Sequence, residues 1–224
     1  MKFVVMHPSK GRPEIGLLCA KDNLCKTSGK HSIKYIMGID ETDPKKNLYS
    51  LNSRSITKLH SGFELNIFHS KNYVECVNQM GHLFDGDIGM IASDDFVLPI
   101  NWDLLLENAI LKSKFKISDE FVVAVYDGKQ PKMITFPIFS KNWYLRFNYI
   151  YYPEYESMYC DEDLTNVAYT LNKVIEAKHI SFEHKHWSFN KRTKDKVDEI
   201  QSSNERYITG KLVFEKRKSR NFDL

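Results

Sequence analysis

Two adjacent carboxylates, Asp94 and Asp95, follow the apolar run "IGMIA" within the stretch "GDIGMIASDDFVLPINWD". The chain turns apolar again directly after them, so the two acids fall where a buried strand is predicted to end. A carboxylate pair suits a hard divalent cation such as Mg²⁺ or Mn²⁺, which takes its other ligands from substrate phosphates and water. The pattern therefore predicts a metal site that serves a diphosphate-containing substrate.

A second acidic cluster occurs in "MYCDEDLTNVAY", which contains Asp161, Glu162 and Asp163. Apolar residues follow at helical spacing, so the acids stand at the start of a predicted helix. An acid placed there could deprotonate an acceptor hydroxyl as a general base. Acids at a helix start also cap the helix and offset its positive end. The residues alone leave both interpretations open.

Two histidines, His184 and His186, alternate in "ISFEHKHWSFN", so they are predicted to share one face of a strand. Neutral imidazoles in such a pair could bind a metal, and surface histidines beside Lys185 and Trp187 are an equal alternative. The aromatic stretch "NWYLRFNYIYYPEY" could stack against an acceptor sugar or could belong to the core.

The elements that must position these residues alternate between strands and helices. "KFVVMHP", "IKYIMGID" and "IGMIASDD" are predicted strands, and "ITKLHSGFELNIFHS" contains a further one. "EIGLLCAKDNLCKTSG" and "NYVECVNQMGHLF" have helical spacing. This order predicts an α/β fold with a mixed, mostly parallel central sheet flanked by helices. The pattern is less regular after residue 100.

Ligands of such sheets bind outside the carboxyl ends of the strands. We therefore expect residues 7–12, 40–43 and 93–95 to lie along one edge and to face one crevice. An alternative is that each acid only ends its own strand, because Asp favours turns. That alternative explains any one cluster more easily than all three together.

Several segments together resemble the nucleotide-sugar glycosyltransferases of the GT-A fold, a Rossmann-type fold, and particularly the large inverting, family 2-like group. The segments are "HPSKGRP", "GIDETD", "NYVECVNQMGHLFDGDIGMIASDDFVLPINWD" and "YCDEDL". The resemblance covers about residues 1–190. Its most specific part is 72–103, where an Asn-bearing helix precedes a strand that ends in an SDD variant of the DxD motif.

The resemblance implies a role for each candidate residue. Asp95 is implied as the metal ligand, because Ser93 replaces the first acid of a strict DxD motif, and Asp94 is then assigned to ribose or sugar hydroxyls. His184 or His186 completes the site for Mn²⁺ or Mg²⁺, and Asp161 is the catalytic base, with Asp163 as second choice. The implied nucleotide-sugar-binding residues are His7, Ser9, Arg12, Asp40, Asn72, Asn78, Ser93 and Asp94.

The function that the resemblance implies is metal-dependent transfer of a sugar from a nucleotide-diphosphate donor, a UDP-sugar being the commonest, to a hydroxyl acceptor such as a glycan. Inversion of configuration is expected. A nucleotidyltransferase is an alternative, although "PSKGRPE" has only one glycine for a phosphate loop. A non-catalytic glycan- or nucleotide-binding module of the same fold is another. The sequence does not determine the oligomeric state.

Composition limits the classes further. With 224 residues, 42% of them hydrophobic, the chain suits one domain, which we divide into a nucleotide-sugar half (1–103) and an acceptor half (104–190). The net charge of +3 does not favour a nucleic-acid-binding protein. Basic residues concentrate in "KHWSFNKRTKDK" and in a predicted mobile C-terminal extension, 191–224. Such runs are usually solvated, and contact with an anionic substrate or a membrane surface is the alternative.

The four cysteines lack CxxC spacing and are expected to be reduced thiols. The apolar run at the N-terminus is too short for a signal peptide, and no segment approaches the roughly 20 apolar residues of a membrane helix. We therefore expect a soluble, cytoplasmic protein.

Overall fold

A seven-stranded sheet forms the centre of the computed structural model, which describes residues 1–224. The strands are β1 (Lys2–Ser9), β2 (Ser32–Asp40), β3 (Phe63–Phe68), β4 (Ile88–Ile91), β5 (Phe96–Val97), β6 (Val122–Tyr126), β7 (Ile138–Ser140), β8 (Val174–Ser181) and β9 (Glu183–His184). The sheet order is β3-β2-β1-β4-β7-β6-β8, and only β7 runs antiparallel to the others. Strands β5 and β9 form a separate antiparallel ribbon. The predicted α/β fold with a mostly parallel sheet is confirmed.

Helices cover both faces of the sheet. They are α1 (Pro13–Cys25), α2 (Lys46–Asn52), α3 (Arg54–Leu59), α4 (Tyr73–Gly81), α5 (Trp102–Lys112), α6 (Lys141–Phe147), α7 (Cys160–Thr170), α8 (Lys196–Gln201) and α9 (Asn204–Ser219), and short 3-10 turns occupy Trp187–Phe189 and Asn221–Asp223. Each strand and helix predicted before residue 100 is present. The short helices α2 and α3 were not predicted, because six or seven residues show too little periodicity.

Strand β1 shows why the central sheet is buried on both faces. Its residues Phe3, Val4, Val5 and Met6 are all fully buried. Phe3 and Val5 belong to a core cluster that includes residues of α1 and α5, whereas Val4 and Met6 belong to a second cluster with residues of α4, α6 and α7. A continuous apolar run is typical of a parallel strand covered on both sides.

The aromatic stretch at residues 142–155 lies largely in the second cluster. Trp143, Tyr144, Tyr151 and Tyr155 are buried there. These aromatic residues therefore pack in the core, and they do not form an exposed surface on which a sugar could stack.

The C-terminal extension differs from the mobile tail that we expected. Residues 196–201 and 204–219 are helical, and α9 buries Phe214 and Arg217 against the domain. Helix α9 approaches the chain so closely that a Cβ on Gly210 would lie 2.4 Å from the carbonyl oxygen of Met158. A basic composition did not reveal this packing, because the anchoring residues are spaced a helical turn apart among charged neighbours.

Part of the basic charge of α9 is neutralised within the domain. Lys216 pairs with Glu154 at 3.0 Å, and Arg217 pairs with buried Asp163 at 2.9 Å. No helix combines the length and the apolarity that a membrane crossing requires. All four cysteines are free thiols.

Candidate functional site

The carboxyl ends of β1, β2 and β4 meet at one edge of the sheet, because β1 runs parallel to both of its neighbours. Gly11 N donates to Asp43 Oδ2 at 2.5 Å, which joins the loops after β1 and β2. His7 Nε2 lies 3.0 Å from Asp94 Oδ1, and Arg12 Nη1 lies 3.8 Å from Asp94 Oδ2. The prediction that the three polar loops share one edge is confirmed.

Asp94 is tied into the scaffold. Its partner His7 is fully buried, and the other ring nitrogen of His7 lies 2.8 Å from the hydroxyl of Tyr35. Helix α1 passes so close that a Cβ on Gly16 would lie 2.6 Å from Asp94 Oδ1. His7 is thus placed behind Asp94 in a buried polar chain, and its influence on any ligand must pass through that carboxylate.

The loop after β1 is held by Tyr49, which α2 contributes. Ser9 Oγ and Tyr49 OH share a hydrogen bond of 2.7 Å, and the same hydroxyl accepts a hydrogen bond from Arg12 N at 2.9 Å. Tyr49 is fully buried. Ser9 and the backbone of Arg12 are therefore fixed at the edge, and the Arg12 side chain extends from a rigid base.

Asp40 joins the ends of β2 and β3. Its Oδ1 accepts from Thr42 N at 2.8 Å and from the Thr42 hydroxyl, and its Oδ2 accepts from Ser70 Oγ at 2.8 Å. Burial acts to raise the pKa of Asp40, but the hydrogen bonds from Thr42 and Ser70 outweigh it and hold the pKa below its usual range. A nucleotide contact at Asp40 would compete with these bonds.

Asp95 has different surroundings from Asp94. The ribbon pairs Phe96 with His184, and Lys185 N donates to Asp95 O at 2.8 Å. This backbone pairing brings His184 Nε2 within 3.4 Å of Asp95 Oδ1. The structure therefore brings together two residues that the resemblance implied as metal ligands, although they are far apart in the chain.

A cation also contacts Asp95. Arg192 Nη2 lies 3.1 Å and Arg192 Nε 3.3 Å from Asp95 Oδ2. Burial acts to raise the pKa of Asp95, but its contacts with His184 and Arg192 outweigh burial and hold the pKa well below the usual range. Asp95 is therefore anionic at neutral pH.

The two histidine rings lie close together, but they do not share one face of a strand as expected, because β9 ends at His184 and His186 caps the following 3-10 turn. Their ring centroids are 4.9 Å apart. Burial, together with the charge of His184, lowers the pKa of His186 to about 4, so this imidazole is neutral at pH 7. His184 Nδ1 is buried and has no hydrogen-bond partner. Both features suit imidazoles that contact a ligand or a cation.

Two arginines and two aspartates form what we call the arginine clasp: Arg12, Arg192, Asp195 and Asp198. Arg12 Nη2 lies 2.6 Å from Asp195 Oδ1 and 2.7 Å from Asp198 Oδ1, and Arg192 Nη1 lies 2.5 Å from Asp198 Oδ2. Asp195 and Asp198 also form the capping box of α8. The clasp holds the C-terminal segment against the edge that carries Asp94 and Asp95.

Asp161 is a half-buried carboxyl near the start of α7. Its side chain accepts one hydrogen bond, from Glu162 N at 3.0 Å, and it has no ion-pair partner. Burial raises the pKa of Asp161, and the backbone hydrogen bond from Glu162 N, with a smaller contribution from the charge of His184, opposes this only in part. A raised pKa and a free carboxylate are properties that a general base requires.

Asp163 is placed in the core, unlike half-buried Asp161. It is 3% exposed, and Arg217 Nε of α9 donates to its Oδ2 at 2.9 Å. Tyr155 OH donates to the same oxygen at 3.0 Å. This buried ion pair supports a structural role for Asp163, as the anchor of α9.

Two predicted sugar-binding asparagines make scaffold contacts. Asn72 caps α4, and its Oδ1 accepts from Glu75 N at 2.9 Å. Asn78 Oδ1 accepts from the backbone of Ile150 at 2.9 Å and of Tyr151 at 3.0 Å, and Asn78 Nδ2 donates to Tyr151 O at 2.8 Å. The Asn72 side chain therefore caps a helix, and the Asn78 side chain fixes the backbone at residues 150 and 151. These amide groups would have to leave those contacts to bind a sugar.

Ser93 turns the chain between β4 and the acid pair. Its carbonyl oxygen accepts from Phe96 N at 3.1 Å and from Cys19 Sγ at 3.3 Å. These contacts place Asp94 towards the sheet edge and α1, while Asp95 points to the ribbon.

The donor types around Asp95 fit a divalent cation in part. No group of three or more His, Cys, Asp or Glu side chains is arranged to hold a metal ion by itself. Mg²⁺ and Mn²⁺ commonly use one or two carboxylates and complete their coordination with substrate phosphates. Anionic Asp95, with His184 or His186, therefore fits a cation that binds together with a diphosphate.

The structure resembles solved structures of GT-A glycosyltransferases. It superposes on S. aureus TarS 1–349 with a TM-score of 0.64 and 12% identity, covering 98% of this chain and 74% of that one. A mannosyltransferase from Pyrobaculum calidifontis, in complex with GDP-Man and Mn²⁺, gives a TM-score of 0.61 at 11% identity, covering 97% and 75%. Glucosyl-3-phosphoglycerate synthase from Mycobacterium tuberculosis, with Mn²⁺, UDP and phosphoglyceric acid, gives 0.60 at 11%, covering 95% and 78%.

Other matches cover less of the longer chain. The present chain spans 58% of TarS 1–349 in its UDP-GlcNAc complex and 36% of a second S. aureus TarS structure. No protein-family model and no curated protein sequence matches the chain. The chain therefore has a GT-A-like fold, which the structural similarity shows at 11–12% sequence identity.

Proposed function

We propose that this protein is a metal-dependent glycosyltransferase that moves a sugar from a nucleotide-diphosphate donor to a hydroxyl acceptor such as a glycan, with inversion. One observation carries the proposal. Within a GT-A-like fold, Asp95 lies 3.4 Å from His184 at the end of β4, and the half-buried carboxyl of Asp161 has no ion-pair partner.

The donor would bind at the edge formed by β1, β2 and β4. Asp95 with His184 or His186 would hold Mn²⁺ or Mg²⁺, and the bound cation would supply stabilisation of the negative charge that develops on the leaving diphosphate. Arg12 and Arg192 already lie at this edge and carry fork-shaped donors that suit phosphate oxygens. Donor binding then requires their release from Asp195 and Asp198.

The acceptor step would depend on Asp161. Its carboxylate would take the proton from the acceptor hydroxyl as the new glycosidic bond forms. A pKa above the usual aspartate value makes this carboxylate a stronger base than an exposed one. In an inverting reaction the base lies opposite the leaving group, which agrees with separate positions for Asp161 and Asp95.

A uridine nucleotide is the donor that we would test first. TarS has been solved with UDP-GlcNAc and with UDP, while the archaeal neighbour was solved with GDP-Man and Mn²⁺. Both bases must therefore be included.

The experiment is a screen of nucleotide sugars in the presence of Mn²⁺. Thermal stabilisation is measured first, and product formation is measured second. A bound donor raises the melting temperature by mass action. Release of a nucleoside diphosphate supports the glycosyltransferase. In a parallel incubation with a nucleoside triphosphate and a sugar 1-phosphate, release of pyrophosphate would instead indicate a nucleotidyltransferase. Stabilisation without any product in either incubation, with a panel of hydroxyl acceptors present, would indicate a binding module.

A further inference from the structure

Three rings and two lysines form a surface beside the candidate metal ligands, which we call the basic aromatic rim: Lys129, His186, Trp187, Phe189 and Lys194. The ring of His186 lies 5.3 Å from that of Trp187 and 5.6 Å from that of Phe189, measured between centroids. Lys129 Nζ lies 4.7 Å from the centre of the Phe189 ring, and Lys194 Nζ lies 4.4 Å from that of Trp187.

The charges of the two lysines are not neutralised by carboxylates. Neither lysine forms an ion pair, and the nearby acids are already engaged. Asp127 is buried, and its carboxylate accepts hydrogen bonds from Lys129 N, Gln130 N and Thr135 Oγ1. Glu183 pairs with Lys191 at 3.5 Å, and Asp195 and Asp198 belong to the arginine clasp. The rim therefore presents two unpaired ammonium groups next to half-buried aromatic rings.

The position of Lys129 is built into the fold. Asp127 Oδ1 accepts from Lys129 N at 2.8 Å, which fixes the turn after β6. Lys178 Nζ then ties both ends of this loop, because it donates to Val125 O at 2.9 Å and to Met133 O at 2.7 Å. A lysine held by its backbone loses less freedom when it binds an anion.

The rim also adjoins the proposed reaction centre. The ring of Phe189 lies 5.6 Å from that of His184, which contacts Asp95. An acceptor lying on the rim could therefore present a hydroxyl group near the donor site.

We infer that the rim binds a hydroxyl compound that carries phosphate or carboxylate groups, and that in the proposed function, on which this inference rests, that anionic compound is the acceptor. Aromatic faces suit the carbon skeleton of a sugar or polyol. The ammonium groups of Lys129 and Lys194 suit its anionic groups and can leave the ring faces to reach them.

Tryptophan fluorescence can test binding without any assumption about catalysis. The chain has three tryptophans, and Trp102 and Trp143 are 0% and 3% exposed, so half-buried Trp187 is the one that a dissolved quencher can reach. Relative to their quenching of a neutral free tryptophan derivative, iodide should quench Trp187 more strongly than caesium does, and this normalised ratio is the preference for iodide. Glycerol 3-phosphate or glucuronic acid should protect it, whereas glycerol and glucose should not, and the two anions separate phosphate from carboxylate preference.

Replacing both lysines, as Lys129→Gln with Lys194→Gln, should weaken the protective anion's binding by roughly 2- to 30-fold and remove the preference for iodide. The arginine pair, Lys129→Arg with Lys194→Arg, should retain both. Lys112→Gln, at an exposed lysine of α5, is the matched control and should change neither. Equal quenching of the native protein by iodide and caesium, or equal protection by charged and neutral compounds, would overturn the inference.

A separate assay, the release of nucleoside diphosphate, tests the acceptor role. With a donor that the protein has been shown to bind, the anionic compound should increase nucleoside diphosphate release, and the glutamine pair should lose that increase. If the proposed glycosyl transfer is wrong, no donor releases nucleoside diphosphate in the native protein, although anion protection of Trp187 persists. If only the anionic acceptor is wrong, neutral acceptors stimulate release equally in the native and glutamine proteins.

Discussion

The two acid pairs of the molecule, Asp94–Asp95 and Asp161–Asp163, share one arrangement. In each pair, one carboxylate is buried against the scaffold: Asp94 lies 3.0 Å from fully buried His7, and Asp163 pairs with Arg217 at 2.9 Å. We call these two the inner members of the pairs and Asp95 and Asp161 the outer ones, although Asp94 and Asp95 are buried to a similar extent. Asp95 contacts His184 and Arg192, and Asp161 has no cation partner.

This comparison indicates that two neighbouring acids with the same local sequence pattern have different roles. The inner carboxylate is bonded to buried side chains of the scaffold, and the outer one is the member that we propose acts on a cation or a proton. The outer two also differ in a way that fits their proposed roles. The pKa of Asp95 is lowered, which favours a permanent anion for a metal, while burial raises the pKa of Asp161, which favours a base.

The largest expected effect concerns Asp161. Asp161→Asn should lower kcat by on the order of 100- to 10,000-fold with little change in donor affinity, because a base acts only as the new bond forms. In the native protein, activity should fall as the pH drops through the raised pKa of Asp161, since protonation removes the base. Steady-state kinetics against pH, with donor binding measured beside it, checks both.

Asp163→Asn is the matched variant for that comparison, and it should keep most of its turnover per folded molecule. If turnover collapses in Asp163→Asn and survives in Asp161→Asn, the two acids have been assigned the wrong way round.

The next effect is on stability. Asp163→Ala should lower the free energy of unfolding by about 3–5 kcal/mol, because it leaves Arg217 as an uncompensated buried charge. The double variant Asp163→Leu with Arg217→Met should recover much of this loss, since it removes both charges. Denaturant unfolding of the three proteins is the measurement. A loss below about 1 kcal/mol in Asp163→Ala would contradict a buried, structural ion pair.

The histidines test which imidazole supports Asp95. His184→Ala should weaken Mn²⁺ affinity in the presence of nucleotide by roughly 10- to 100-fold, while metal-free nucleotide binding changes less. His186→Ala should have a smaller effect, because His186 Nδ1 is bonded to Ser188 Oγ at 2.7 Å and only His184 contacts Asp95. Equal Mn²⁺ affinity in both variants and the native protein would remove the pair from the metal site.

The smallest effect tests the inner acid of the first pair. Gly16→Ala should weaken donor binding by on the order of tenfold, because the new Cβ would push the Asp94 carboxylate out of place. Leu18→Ala, at an exposed position of the same helix, is the control and should bind the donor normally. Normal donor affinity in Gly16→Ala would show that the position of Asp94 does not matter for the donor.

The sequence predicted the parallel edge well, because strand periodicity and strand-ending acids are local signals. The positions of His7, Asp40 and Asp95 at one edge follow from those signals alone. Which acid of each pair is bonded to the scaffold could not be predicted from the sequence. Asp161 and Asp163 differ in part because Arg217, 54 positions further along the chain, pairs with Asp163 alone.

The arginine clasp was missed for the same physical reason. Arg192 contacts Asp95 although the two residues are 97 positions apart in the chain, and no local sequence pattern predicts such a contact. The only local signal was "DKVD", in which Asp195 and Asp198 have the spacing of a capping box. Tyr49 was likewise hidden, because it lies on a helix of seven residues.

The central claim is that Asp95 is the acid that binds the metal with the donor diphosphate. Calorimetric titration of Mn²⁺ into the protein with UDP, or with the nucleotide selected by the donor screen, compares the native chain with Asp95→Asn. We predict that Asp95→Asn loses at least about tenfold in Mn²⁺ affinity, equivalent to about 1.4 kcal/mol, and keeps the native melting temperature within a few degrees. Mn²⁺ affinity equal to that of the native chain, in a folded Asp95→Asn protein that still binds the nucleotide, would contradict the claim.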